Sequence, residues 1–211
     1  MGVYNELTRD AQVLDLTQHV ATRKDTSPLV WKPTSAQLLA AKDKGTPDVL
    51  APAARVWFVG INPGLYSAAI GHHFGRPGNR FWPALARSGF TPRQLSPFED
   101  GSLPEYALGI TNLVARATAR AEELSPGELR RGAKRLARKV AALEPNVVAV
   151  LGVTAYRLAF ARAKAQLGRQ SDSIEGATLW VLPNPSGLNA HHQLDSLERL
   201  FGELRAYAFR A

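Results

Sequence analysis

Short apolar runs recur along the chain, separated by stretches long enough to hold a helix. The runs cover residues 55–59, 108–114, 147–151 and 179–182. Runs of this length, rich in Val and Leu and closed by Gly or by a polar turn residue, are typical of buried strands. The pattern therefore predicts strands that are covered on both faces of a sheet.

Amphipathic stretches lie between these runs. Ser125 is a good N-cap for one of them, because Pro126 follows it and Glu128 completes a capping box. Helices are predicted over residues 79–89, with Asn79 as N-cap, over 126–143 and over 154–166. A last helix is predicted with Leu194, Leu197, Phe201 and Leu204 on one face. Strands that alternate with helices favour an α/β fold, with a three-layer α/β/α arrangement around a mainly parallel sheet.

The first 46 residues differ from the rest of the chain. They are polar, of mixed charge and weakly periodic, apart from a short helix predicted at 34–41. Such a composition favours a loose segment over a packed core. We therefore predict a partly flexible N-terminal extension, 1–46, followed by one domain, 47–211.

The charge balance points to a polyanionic partner. The chain has 26 Lys and Arg against 18 Asp and Glu, a formal net charge of +8, which favours nucleic acid without requiring it. One face of the predicted 126–143 helix carries Arg130, Arg131, Lys134, Arg135, Arg138 and Lys139. A solvated face is the preferred interpretation of these cations, with a DNA-binding surface as the alternative.

Several classes of protein are excluded by what the sequence lacks. It has no cysteine, so disulfides, cysteine nucleophiles and cysteine-ligated metal clusters are ruled out. No apolar run approaches the ~20 residues of a membrane span, and the N-terminus shows no signal-peptide h-region. We expect a cytoplasmic protein.

Two loops of matching chemistry follow strands. Asn62-Pro63-Gly64 comes after the first run, and Asn184-Pro185-Ser186-Gly187 comes after the last. Both loops should meet at the carboxyl edge of a parallel sheet, where ligands bind, and flank one pocket. The first loop has no obvious nucleophile, so the pocket should position a substrate and a water.

Three motifs in these loops, GINPG, PGNRFW and NPSGL, together resemble the mismatch-specific uracil/thymine DNA glycosylases of the uracil-DNA glycosylase superfamily. The similarity runs from about residue 47 to 205. It implies a monofunctional DNA glycosylase of base excision repair without metal or cofactor. The expected substrate is uracil mispaired with guanine in double-stranded DNA, with thymine or other modified pyrimidines as further candidates.

The resemblance assigns three principal roles. Asn62 matches the water-positioning asparagine, Phe74 lies where an aromatic stacks on the flipped base, and Leu188 matches the wedge that fills the vacated stack. Their ordinary alternatives are a turn residue, a core aromatic and a core leucine. Because an amide cannot accept the proton of the water, we retain Asp100 as a catalytic helper, with a solvated loop or helix cap as the alternative for the pair Glu99-Asp100.

Further residues have supporting roles. Backbone N–H groups around Ile61, Tyr66, Ser67 and Phe74 would stabilise the departing base as an anion. Ser67 would line the pocket or cap a turn, and His73 would contact the base or a phosphate. The remaining expected substrate and DNA contacts are Asn112, Asn184, Ser186, Gly187 and His191.

The chain departs from the family pattern at two places that bear on the opposite base. Asn189-Ala190-His191-His192 stands where many bacterial members have Ser and Arg, and Asn112 stands where some have lysine. The adjacent histidines His72 and His73 do not predict a metal site, since neighbouring side chains rarely chelate one ion. The rival interpretation is a non-catalytic DNA-binding module. We expect a monomer in either case.

Overall fold

The computed structural model describes residues 32–187 and 190–210. Five strands form one sheet in the order β2-β1-β3-β5-β4. They are β1 (Val56–Gly60), β2 (Leu108–Asn112), β3 (Val147–Leu151), β4 (Gly168–Ile174) and β5 (Ala177–Leu182). All neighbouring pairs are parallel except β4, an antiparallel edge strand on β5. The predicted, mainly parallel sheet is confirmed.

Helices cover both faces of this sheet. They are α1 (Ser35–Ala40), α2 (Leu65–Ile70), α3 (Phe81–Arg87), α4 (Pro126–Leu143), α5 (Val153–Phe160) and α6 (Leu194–Ala208). Two 3₁₀ segments, Pro97–Tyr106 and Ala121–Glu123, complete the described helical structure. One apolar cluster joins the sheet to α3 and α6, and a second joins it to α4 and α5. The three-layer α/β/α prediction is therefore confirmed.

Strand β1 shows how the sequence builds two cores at once. Phe58 packs among Phe81, Phe90 and Phe201, with ring centroids 5.2–5.6 Å apart. The neighbouring Trp57 belongs to the other cluster and is also fully buried. Because successive side chains of a strand point to opposite faces, an apolar run without alternation is what a strand covered on both sides requires.

The sequence predictions for residues 126–143 and 147–151 match α4 and β3 to the residue. The helix predicted over 154–166 is too long, since α5 ends at Phe160 and Ala161 adopts a left-handed conformation with φ 54°. Strand β4 was missed because its sequence, GRQSDSI, is almost wholly polar. Its strand conformation depends on backbone hydrogen bonds to β5, and its side chains show no apolar pattern that predicts a strand.

The described residues from Pro33 onward form one compact unit. Within it, α1 packs against α2, and Ala41 is buried together with Ala68 and Ala117. Of residues 33–46, which we assigned to the extension, α1 and Ala41 thus make packing contacts with the domain. The part of the predicted extension from 1 to 31 lies outside the described residues, so the boundary at residue 47 stays a prediction.

The topology places one crevice at the carboxyl edge of the sheet. From β1 the chain crosses to β2 on one side and then returns to β3 on the other. A reversal of this kind is the point at which open α/β sheets bind ligands. Asn62 follows β1 there, Asn112 ends β2 and Asn184 follows β5, so the two predicted loops do meet at one edge.

Candidate active site

A cavity of about 780 Å³ opens at this edge. Its lining includes residues from the ends of β2 and β3 and from the loops that follow β1, β2 and β5. The predicted site residues that line it are Ile61, Asn62, Ser67, His73, Phe74, Asn112, Asn184, Ser186 and His191. Asp100, Tyr66 and Gly187 are not among the described lining residues, and Leu188 lies outside the described part of the chain.

The side chain of Asn62 is fixed by both of its amide hydrogens. Nδ2 donates to the carbonyl of Arg116 at 3.0 Å and to Thr118 Oγ1 at 2.7 Å. Thr118 in turn donates its hydroxyl proton to the carbonyl of Arg120 at 2.7 Å, so it must accept from Asn62. The orientation of the amide is thereby determined, and Oδ1 is left as the acceptor that the cavity can use.

Phe74 has a strained backbone, and its aromatic ring stacks on a buried neighbour. Its φ is 51°, a left-handed conformation that is costly for a bulky residue. One face of the ring stacks on the fully buried Phe81, with centroids 4.3 Å apart and planes at 24°. The half-buried ring also lines the cavity, where a planar base could stack on it.

Asn112 is oriented by a buried histidine. The Nε2–H of His73 donates to the carbonyl of Pro47 at 2.8 Å, which leaves Nδ1 as an acceptor in the neutral ring. The Nδ2 group of Asn112 lies 3.4 Å from that Nδ1 and donates to Thr46 Oγ1 at 3.2 Å. The acceptor Oδ1 of Asn112 is therefore the part of the amide that remains for a ligand.

Burial lowers the pKa of His73 below its usual value, opposed in part by the hydrogen bond to Pro47 and the negative charge of Asp100. The ring is 2% exposed, so its neutral form is the one that fits. Both ring nitrogens are engaged within the protein. His73 lines the cavity with its ring nitrogens directed to Pro47 and Asn112, and the contact with the base or a phosphate stays a prediction.

Gly60 leaves room for this arrangement. A methyl group placed on its Cα would lie 2.3 Å from Asn112 Oδ1 and 3.3 Å from Phe74 Cζ. The first distance is far below van der Waals contact. Asn112 and Phe74 thus approach one another over a residue that has no side chain.

Asp100 occupies a different position from the one that a catalytic helper requires. Its Oδ1 lies 2.9 Å from His72 Nδ1, and its Oδ2 accepts the backbone N–H of His73 at 3.0 Å. Asp100 is buried, and it is not among the described residues that line the cavity. Its observed contacts fix the loop that carries the histidines, so the geometry does not support proton transfer from a water to Asp100.

The neighbouring Glu99 is a cap, as one alternative proposed. It accepts the backbone N–H of Ser96 at 2.8 Å and pairs with Arg93 at 2.6 Å. The hydrogen bond from Arg93, followed by that from the Ser96 backbone, lowers the pKa of Glu99 to about 2. Glu99 therefore belongs to the fold of the 3₁₀ segment rather than to the site.

The start of α2 provides backbone donors near Asn62. Ala68 is the first residue of this helix whose N–H bonds back, to the carbonyl of Gly64 at 3.0 Å. Earlier N–H groups of a helix lack such partners. The buried Ser67 lines the cavity, and its Oγ accepts the N–H of Gly75 at 3.0 Å, so it both shapes the pocket and ties the following turn.

The second loop has its own internal support. Asn184 Oδ1 accepts the backbone N–H of Ser186 at 3.0 Å. Arg80, just before α3, donates to the carbonyls of Gly187 and His192. Asn184, Ser186 and His191 face the same cavity as Asn62.

Some functional candidates were not found from the sequence. Thr118 and Arg116 hold Asn62, and the exposed Arg76 and Arg120 line the cavity. A signal for Thr118 and Arg120 was present, since polar residues that follow β2 must lie at the same edge as those after β1. Glu122 is the one acid among the described lining residues.

No cluster of three or more His, Cys, Asp or Glu side chains suited to a metal ion occurs within residues 32–187 and 190–210. Over the same described segments, no helix is long and apolar enough to cross a membrane.

Comparison with known families agrees with the geometry of the crevice. The family model for the uracil DNA glycosylase superfamily matches residues 47–205, which is well over half of the chain. The match spans both asparagine loops, every strand of the sheet and the residues that hold Asn62. This protein therefore belongs to the uracil-DNA glycosylase superfamily, the hydrolytic DNA glycosylases of base excision repair.

Proposed function

We propose that the protein is a monofunctional, mismatch-specific glycosylase of the uracil/thymine type, which removes uracil paired with guanine from double-stranded DNA. The observation that carries this proposal is the fixed amide of Asn62, whose Nδ2 is held by Arg116 and Thr118 while Oδ1 is left for a water. Thymine and other modified pyrimidines opposite guanine are further substrates in the same proposal.

The reaction requires a flipped nucleotide. A base inside a duplex is out of reach, and extruding it costs a few kcal/mol, least where the pair is a mismatch. In the cavity the base would lie on Phe74, whose other face is supported by Phe81. Stacking on an aromatic ring contributes about 1–3 kcal/mol and does not depend strongly on the base.

In the chemical step a water held by Asn62 Oδ1 forms a bond to the sugar C1′, and the bond from C1′ to the base nitrogen breaks. The bonding electron pair leaves with the base, and the proton of the water passes to solvent. An amide orients the water but cannot accept its proton near neutral pH. Most of the acceleration must therefore come from positioning and from stabilising the base as it becomes an anion.

Backbone donors and nearby cations suit that second requirement. We assign the stabilisation to the backbone N–H groups of Ile61, Ser67 and Phe74, three residues that line the cavity. Arg76 and Arg120 add positive charge at the same walls. Such groups act strongly on a developing charge because they are already oriented before the bond breaks.

Base selection follows from the orientation of Asn112. Its Nδ2 is engaged by His73 and Thr46, so Oδ1 would accept a hydrogen bond from the base. Uracil and thymine carry an N–H at ring position 3, whereas cytosine has a lone pair there. An acceptor at this point would favour the first two and repel the third, which protects the normal base of a G·C pair.

The experiment that tests this function uses labelled duplexes with single G·U, A·U, G·T and G·C pairs. Each is incubated with the protein in excess EDTA and then treated with alkali to cut abasic sites. We expect alkali-dependent breaks at uracil opposite guanine and none at G·C. Intact strands on every duplex, with DNA binding still measurable, would leave a non-catalytic DNA-binding module as the better account.

The variant Asn62→Ala is the matched control. It removes the acceptor for the water but not the stacking or the backbone donors. We expect the single-turnover rate on G·U to fall by at least about 100-fold, the scale of a lost positioning contact, with DNA affinity within a factor of about two. Equal loss of binding and cleavage would mean that Asn62 acts in DNA contact and not on the water.

A further inference from the structure

The segment that precedes α3 is docked onto the loop between β5 and α6. The backbone N–H of Arg80 donates to the carbonyl of Pro185 at 2.9 Å. Its Nη1 donates to the carbonyl of His192 at 2.9 Å and its Nη2 to that of Gly187 at 3.3 Å. One guanidinium thus bonds to the backbone on both sides of residues 188–191.

The close approach of the two segments is built into their glycines. A methyl group on Gly187 would lie 2.6 Å from the carbonyl oxygen of Gly78. A residue with a side chain at that position would push the loop away from the segment. The two backbones therefore pack directly against each other because Gly187 has no side chain, and Arg80 adds its hydrogen bonds to this contact.

Only arginine offers this pattern of bonds. Its guanidinium is a rigid planar fork with five donors, whereas lysine presents a single point charge. Arg80 is also followed by Phe81, on which the ring of Phe74 is stacked. The start of α3 consequently supports both sides of the cavity, the ring that would take the base and the loop that would enter the DNA.

We propose that Arg80 is a positioning residue that ties the two ends of the loop after β5, at Gly187 and His192, so that the loop is placed to occupy the gap left by the flipped base. This inference rests on the proposed glycosylase function. Tying both ends of this loop to Arg80 before DNA binds reduces the freedom that the loop has to lose on binding. Arg80 thereby favours the flipped state, and it takes no part in breaking the glycosidic bond.

The test compares paired with unpaired uracil in the full-length protein. We would measure single-turnover excision at saturating enzyme for uracil opposite guanine and for uracil opposite an abasic-site analogue, where no partner base has to be displaced. In Arg80→Gln we expect the rate on the G·U pair to fall about tenfold or more. The rate on the unpaired uracil should stay within a factor of about two.

Two further variants identify the cause. Arg80→Lys keeps the charge but not the fork, so we expect it to behave like Arg80→Gln; a lysine that restores activity would point to phosphate binding and overturn the proposal. Arg87→Gln, the same change at the end of α3, removes exposed ion pairs with Asp195 and Glu198 and should alter neither rate. Equal losses on both substrates in Arg80→Gln would also overturn it.

A measurement on the free protein makes the outcome independent of activity. Amide hydrogen exchange of peptides that cover 183–193 should be faster in Arg80→Gln and Arg80→Lys than in the unmodified protein, and unchanged in Arg87→Gln. Unaltered exchange in the Arg80 variants would refute the positioning role. Inactivity of the unmodified protein on every duplex would refute the glycosylase proposal instead, while the exchange result would still decide whether Arg80 holds the loop.

Discussion

At the scale of the residue, the site depends on amides whose orientation is set by neighbours and not by the amides themselves. Asn62 is oriented by Arg116 and Thr118, and Asn112 by His73. An asparagine free to rotate would present its donor as readily as its acceptor. Because the neighbours fix Oδ1 in both cases, each amide presents only its acceptor to the cavity. Asn62 can then position a water, and Asn112 can select a base.

Gly60 provides a sharp test of this geometry. In Gly60→Ala the new methyl group would lie 2.3 Å from Asn112 Oδ1 and close to Phe74, so both must shift. We expect the single-turnover rate on G·U to drop by at least about 100-fold, as displacements near 1 Å can do. The backbone at Gly60 does not have a positive φ, so alanine is compatible with the strand and the protein should remain folded.

Gly202→Ala is the matched control for that variant. Gly202 lies inside α6 with open space around its Cα, so alanine there should leave excision unchanged and raise the free energy of unfolding by about 1 kcal/mol. Circular dichroism and chemical denaturation would establish the fold and stability of both variants. A fully active, folded Gly60→Ala protein would contradict the role assigned to Asn112.

The residues that the sequence predicted well are those placed by local chain geometry. Asn62 comes two residues after a buried strand, and Asn184 does the same, so the strand pattern alone brings both to one edge. The contacts of Asp100 with His73 and His72 join residues 27 and 28 positions apart, and no local pattern encodes them. This is why Asp100 was given a catalytic part that its position does not support.

At the scale of the element, α4 is the helix best predicted from the sequence, and its surface carries many more positive than negative side chains. Ser125 and Glu128 form a capping box, and Arg116 also pairs with Glu128 at 2.6 Å. Arg130, Lys134 and Arg138 are exposed at successive four-residue intervals. Like charges at this spacing destabilise a helix by about 0.2–0.5 kcal/mol per pair.

Lys134→Glu should therefore stabilise the protein. It converts two repulsive pairs, with Arg130 and with Arg138, into attractive ones, and we expect the free energy of unfolding to rise by about 0.8–2 kcal/mol at low salt. Urea denaturation at low and high ionic strength would measure the gain, which salt should reduce. Lys134→Gln, which only removes the repulsion, should give a smaller gain, and a loss of stability in either variant would contradict this account.

Strands with an apolar side-chain pattern were predicted from the sequence. Strand β4, which depends on backbone pairing with β5, was not. Val147–Leu151 is apolar throughout because both of its faces are buried. Gly168–Ile174 has one edge on β5 and alternates between exposed and partly buried polar residues, so its strand character comes from backbone hydrogen bonds to a neighbour. The same absence of signal allowed the preceding helix to be extended too far.

At the scale of the whole molecule, the positive charge is divided between the cavity and α4, and the two parts can be separated by the salt dependence of DNA binding. Each phosphate neutralised by a cation contributes about −0.9 to the slope of log K against log salt. Arg76 and Arg120 line the cavity that would receive the nucleotide. The exposed cations of α4 lie on a helix face directed away from the sheet.

We expect the double variant Arg76→Gln/Arg120→Gln to lower the magnitude of that slope by about 2 for a duplex with one G·U pair. The matched variant Arg130→Gln/Lys134→Gln removes the same charge from α4 and should leave the slope within about 0.5 of the unmodified value if that face is only solvated. Fluorescence anisotropy over a range of salt concentrations gives both slopes. A larger effect from the α4 pair would mean that DNA extends over this helix, because net charge alone would change both variants equally.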